Sequence, residues 1–132
     1  MASRPTEHKD RVRAASGQIL IIAAGPEMEG FRDLLRGSPY GSVETPDLAT
    51  AALLLPRMTP PSLVLIDDSA TGDLVLFLGR LQRTTLGEDN IVPAILLQAV
   101  DGASPRGISE VVTKPFEAPL LLEVIQRLLE RG

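Results

Sequence analysis

A chain of 132 residues with 44% hydrophobic and 23% charged side chains has the size and composition of one folded domain, which excludes wholesale disorder. It has no cysteine, and its single histidine, His8, lies in a polar N-terminal stretch; disulfides, thiolate chemistry, cysteine-bound zinc, a histidine base and a Ser-His-Asp triad therefore have no residues in the folded part. The formal charge of −4 is uneven: +2 sits on residues 1–17 and −6 on the rest, and an acidic body with four aromatics (Phe31, Tyr40, Phe77, Phe116) and no tryptophan suits no nucleic acid.

Residues 1–17 show no periodicity, and Arg4, Lys9, Arg11 and Arg13 outnumber Glu7 and Asp10 there. This stretch is read as a solvated leader. Having no apolar core, it is not a secretory signal. The longest apolar run, Ile19 to Ala24, is six residues, against the roughly 20 that cross a bilayer. These features place the chain in the cytoplasm with no membrane insertion.

Gln18 to Ala23 is rich in β-branched residues and closed by Gly25-Pro26, the pattern of a strand buried on both faces. Glu27 to Arg36 sets Met28, Phe31, Leu34 and Leu35 at helical spacing, with Gly37 as the stop. A weak edge strand is expected near Ser42 to Thr45. Asp47 then caps a helix over Leu48 to Leu55, which Pro56 ends or kinks. Pro60-Pro61 precedes a second strong strand, Ser62 to Asp67. Asp73 caps a helix over Leu74 to Arg83, with Leu74, Phe77, Leu78 and Leu81 on one face. Short strands follow at Ala94 to Leu97 and Glu110 to Thr113. Pro119 opens a last helix striped by Leu121, Val124, Ile125, Leu128 and Leu129.

Strands alternating with helices imply right-handed βαβ units and a parallel sheet covered on both faces. In such sheets ligand chemistry gathers at the carboxyl ends of the strands. Ala23-Ala24, Asp67-Asp68, Gln98 and Lys114 meet there. Gly25 and Gly30 have the separation of a phosphate loop, but Phe31-Arg32 stands where Lys and Ser or Thr belong, and no G-x-G-x-x-G follows a strand. Nucleotide binding and a small enzyme of this class are thereby disfavoured. A carboxylate at the end of a buried strand costs desolvation. It can also simply start a turn, as a strand-ending lysine can simply point into water. Asp67 and Lys114 end adjacent strands in this reading and can pair.

Pro61-Ser-Leu-Val-Leu-Ile-Asp67 and Val112-Thr-Lys114-Pro115-Phe116, in a five-unit βα order, resemble the receiver domain of two-component response regulators. The resemblance spans residues 18–131, so no DNA-binding output domain is expected within these 132 residues. It implies a flavodoxin-like three-layer α/β/α fold with a five-stranded parallel sheet in order 2-1-3-4-5. It implies a histidine kinase or downstream signalling protein as partner. Asp67 takes the place of the phospho-acceptor and Lys114 that of the phosphate-contacting lysine.

The departures point the other way. Ala23-Ala24 replaces the acidic pair that holds Mg²⁺, Gln98 a hydroxyl residue, Val111 the aromatic switch residue, and Ala70-Thr71 a Met-Pro. Only eleven residues, with Gly102, Pro105 and Gly107 among them, separate Ala99 from Val111. The helix between the fourth and fifth strands is therefore expected to be shortened or missing. Asp67 with Lys114 is neutral, and Asp68, next along an extended strand, is expected to point to the opposite face. Asp67 and Asp68 are then weak metal candidates, and no cofactor is expected unless Asp67 is a working phospho-acceptor, which would bring Mg²⁺. The favoured expectation is a degenerate pseudo-receiver that binds a partner without phosphorylation; the alternative is an acceptor phosphorylated at Asp67. The sheet edge and the apolar flank around Ile108 and Val111 are candidates for the partner contact, unless that loop packs over the gap. Oligomeric state stays open.

Overall fold

The computed structural model describes residues 18–25, 28–84, 92–99 and 105–131. The leader, residues 1–17, lies outside them. In chain order the elements are β1 (Gln18–Ile22), α1 (Glu29–Arg36), β2 (Gly41–Thr45), α2 (Leu48–Leu54), β3 (Leu63–Asp67), α3 (Leu74–Thr84), β4 (Ala94–Gln98), β5 (Glu110–Thr113) and α4 (Ala118–Arg131). All neighbouring strands pair in parallel, in the order β2-β1-β3-β4-β5.

The elements form where local chemistry directs. Asp47 accepts the Thr50 N–H at 2.7 Å and starts α2, and Asp73 accepts the Leu76 N–H at 3.0 Å and starts α3. Pro56, which has no N–H to continue the α-ladder, stands inside a 3₁₀ turn, Leu55–Arg57, so α2 stops at Leu54. Its expected last residue, Leu55, becomes the first of that turn. Gly72 has φ +126, and a Cβ there would stand 2.8 Å from the Leu48 Cβ, which is why the turn entering α3 uses glycine.

The alternation of side chains along each strand builds two cores. Leu20, Ile22, Val64, Ile66, Ala94 and Leu96 pack under α2 and α3 with Leu48, Ala51, Leu55, Phe77, Leu78 and Leu81. Ile19, Ile21, Leu63, Leu65, Ile95 and Leu97 pack under α1 and α4 with Met28, Phe31, Leu35, Leu121, Ile125 and Leu128. A strand sandwiched this way is apolar on both faces where the helices cover it, which explains the hydrophobic runs Ile19–Ile22, Leu63–Ile66 and Ala94–Leu97. β2, at the sheet edge, instead alternates half-buried and exposed positions up to the buried Thr45.

No helix occurs between β4 and β5 among the described residues; residues 100–104 lie outside them. The Ile108 N–H bonds back to the Pro105 carbonyl at 3.2 Å, and the Ser109 N–H reaches the Ala94 carbonyl at 2.8 Å. Gly107, at φ +97, would bring a Cβ to 3.3 Å from Leu78. Ile108 and Val111 are half-buried against the α2–α3 core.

Candidate functional site

The register carries the sequence-chosen residues to one end of the sheet. Ile22 lies beside Ile66, so Ala23, the next residue, falls beside Asp67; Asp67 lies beside Leu97. Asp67 is the last residue of β3, on the same side of the strand as Leu63 and Leu65, the side facing α1 and α4. It is 2% exposed. Burial at that level requires compensation. Lys114 Nζ lies 3.1 Å from Asp67 Oδ1, and the Ser69 N–H donates to Asp67 Oδ2 at 3.0 Å. Asp67 Oδ1 makes no further hydrogen bond among the described residues.

Asp68 corrects one expectation. Strict alternation would turn it away, but β3 ends at Asp67, and Asp68 already belongs to the turn. Its Oδ1 contacts Lys114 Nζ, and its Oδ2 accepts the Ala99 N–H at 2.8 Å. The lysine contact, helped by the Ala99 N–H and opposed by partial burial, holds the Asp68 carboxyl below its usual value. Lys114 therefore does not point into solvent; its side chain is 13% exposed and bridges two carboxylates. The cluster is formally −1 rather than neutral.

Backbone contacts lock this arrangement. The Lys114 N–H bonds to the Gln98 carbonyl at 2.9 Å, the Asp68 N–H to the Leu97 carbonyl at 2.9 Å, and the Ala24 N–H to Ser69 Oγ at 3.1 Å. The sequence reading missed Ser69. Its only signal was its place two residues beyond a strand-ending aspartate, where a backbone N–H commonly turns back to the carboxylate.

Gln98 and Val111 lie on the other side of the sheet. Gln98 follows Leu96 in the alternation and Val111 pairs with Leu96, so both belong to the α2–α3 side. The Gln98 Nε2 is buried with no acceptor among the described residues.

The structure brings Ala23, Ala24, Asp67, Asp68 and Lys114 together, and this set does not fit a divalent cation. Mg²⁺ takes carboxylate oxygens in near-octahedral geometry. Two alanine methyls supply none, and both aspartates already face an ammonium. No group of three acidic or histidine side chains converges among the described residues. Beside Lys114 a cavity of about 520 Å³ opens between the start of α1 and the β5–α4 connection, walled by Gly30, Phe31, Ala99, Pro115 and Phe116. Its lining is mainly apolar.

No protein-family profile and no curated protein matches the chain. Solved structures do. A LuxR-family two-component response regulator from Aurantimonas sp. SI85-9A1 superposes with a TM-score of 0.69 at 22% identity, over 87% of this chain and 86% of that one. The receiver domain of a sensor histidine kinase from Pseudomonas aeruginosa, with a magnesium ion coordinated in its active-site cleft, gives 0.64 at 23% identity over 88% and 99%. A chemotaxis response regulator of Vibrio cholerae gives 0.67 at 18% identity over 86% and 98%. The strand order and the superpositions together establish that this chain has the receiver fold of two-component response regulators.

Proposed function

We propose that the chain is a pseudo-receiver of a two-component pathway, acting through protein–protein contact without phosphorylation and without enzymatic turnover. The observation that carries this reading is the clamp of Lys114 on Asp67 and Asp68 beside Ala23 and Ala24. Phosphoryl transfer depends on positive charge placed around the transferred group. Because the acyl phosphate replaces the charge of the Asp67 carboxylate, phosphorylation would take the cluster from −1 to about −2, with no cation seat and with its one ammonium shared between two carboxylates. The partner on this reading is a histidine kinase or a downstream signalling protein in the cytoplasm; the described residues contain no helix long and apolar enough to cross a membrane.

One observation favours a second reading, in which Asp67 is a phospho-acceptor served by a histidine kinase: Asp67 and Lys114 keep the contact that the resemblance implies. Incubation with acetyl phosphate and Mg²⁺, followed by intact-mass measurement, decides between them. The pseudo-receiver reading expects no added mass. A stable gain of one phosphoryl group that vanishes in Asp67→Ala would overturn it.

A further inference from the structure

The cavity beside Lys114 has no role in the pseudo-receiver reading. Its volume of about 520 Å³ lies within the range of clefts that take small organic ligands, roughly 300–1,000 Å³. Phe31, Ala99, Pro115 and Phe116 give it apolar walls, and Lys114 is the one charged side chain in its lining among the described residues. At Gly30 the wall is bare backbone. That glycine has no positive φ, and a Cβ added there would meet nothing within 4 Å. The fold therefore has no need of glycine at this place in the first turn of α1, where it weakens the helix. A ligand that approaches the backbone closely does gain from it.

The charge around this cavity is negative. Lys114 is held by Asp67 and Asp68, and Asp68 also accepts the Ala99 N–H at 2.8 Å, so its carboxylate touches two of the lining residues. Asp67 Oδ1, buried, makes no hydrogen bond among the described residues. The starts of α1 and α4 would by themselves favour an anion, with about half a positive charge each. Each start carries an acid instead: Glu29 adjoins Gly30, and Glu117 adjoins Phe116. Neither acid has an ion pair among the described residues, and Arg32, one residue beyond Phe31, is turned to Glu44 on β2 at 2.6 Å. The internal stretches outside the described residues, 26–27, 85–91 and 100–104, contain acids and no lysine or arginine.

We propose that this cavity binds a small organic cation, with a flat apolar body against Phe31 and Phe116 and one ammonium directed to Asp68. A single positive charge matches the −1 of the Lys114 cluster. An ammonium also asks for fewer oxygens than Mg²⁺, which the same residues do not satisfy. The proposal rests on the pseudo-receiver reading in one respect, that no phosphoryl group changes the charge of the cluster.

The test titrates the isotope-labelled full chain, followed by NMR, with tryptamine, its neutral counterpart tryptophol, its anionic counterpart indolepropionate, and ethylamine, which has the charge without the ring. Tryptamine should give saturable shifts centred on Gly30, Ala99 and Phe116 at about 1 mM or below, within reach of a ligand of its size. Tryptophol should bind about tenfold more weakly, and indolepropionate and ethylamine should not saturate. Asp68→Asn should erase the preference for tryptamine over tryptophol, a change of selectivity that loss of a merely structural contact would not give. Gly30→Leu, which narrows the cavity from its bare wall, should weaken both ligands about tenfold. The proposal is overturned by absent saturation, by shifts centred elsewhere, or by equal or tighter binding of tryptophol or indolepropionate. It is also overturned by a selectivity that survives Asp68→Asn or an affinity that survives Gly30→Leu. Tighter binding of a tryptophan–lysine dipeptide amide would make the occupant a protein side chain, and a rise in tryptamine affinity in Arg11→Gln/Arg13→Gln would make it the chain's own leader; either result overturns the proposal. A phosphoryl gain at Asp67 would end the pseudo-receiver reading while leaving the titration of the untreated chain interpretable, and a failed titration leaves the argument about the cation seat untouched.

Discussion

Lys114 is the residue on which the electrostatics of the site converge, because the carboxylate it compensates is 2% exposed. Removing one partner of a buried pair leaves an uncompensated charge. Lys114→Met should therefore lower stability at neutral pH by about 3 kcal/mol, and Lys114→Met/Asp67→Asn should recover part of that loss; urea denaturation measures both. Asp68 makes a pH prediction. Its folded-state carboxyl titrates below its ordinary value, so its stabilising contribution is present above the ordinary carboxylate range and is lost as pH falls through the lowered value. Asp68→Asn should be less stable than the native chain near neutrality, and the two should converge in acid. The two alanines give a gain-of-function test. Ala23→Asp/Ala24→Asp supplies the missing oxygens beside Asp67 and should create saturable Mg²⁺ binding, read by calorimetry, where the native chain is expected to give none.

Elements were legible wherever local chemistry and burial agreed. β5 stands over Glu110–Thr113 as expected, and β1, β3 and β4 lie within one residue of their expected bounds, since a run of four consecutive apolar residues buried on both faces has few alternatives. The caps Asp47 and Asp73 were readable from residue type and place. The position of Asp68 was not. The rule of alternating faces applies only while the strand lasts, and nothing in Ile66-Asp67-Asp68 marks where it ends. The role of Ser69 also needed three dimensions, since Ala24 is brought to it by a crossover rather than by sequence. At this scale Gly72 is the position least open to change. Gly72→Ala combines a positive φ with a 2.8 Å approach to Leu48, and should cost more than the roughly 1 kcal/mol of an ordinary helix-cap loss such as Asp73→Ala. Thermal or urea denaturation of the two variants side by side checks the ranking.

For the whole molecule, the sheet separates two cores that share no side chain yet depend on the same five strands. Phe31 and Phe77 anchor opposite sides at 1% exposure each. Phe31→Ala and Phe77→Ala should each cost about 3–5 kcal/mol, and each should leave one cooperative transition seen identically by fluorescence-free probes such as far-UV and near-UV circular dichroism. The three-layer architecture and strand order followed from the alternation of strands and helices together with the resemblance carried by β3 and β5. The loop before β5 was legible as too short and too rich in glycine and proline for a full helix. That Ile108, just before β5, and Val111, within it, would pack against the α2–α3 core was not, because an apolar residue near a sheet edge reads equally as core or as contact.

The Lys114 clamp joins the ends of β3 and β5, while its neighbours Asp68 and Gln98 bind the backbone at Ala99 and Lys114. A receiver is useful to a cell when a covalent mark tips it between two shapes, and a module balanced from within offers no such handle. Under the proposed reading, what upstream events can vary is the number of copies rather than the fraction marked. Output would then follow synthesis and turnover, rising by titration of the partner in place of the sharp rise and decay of a labile acyl phosphate.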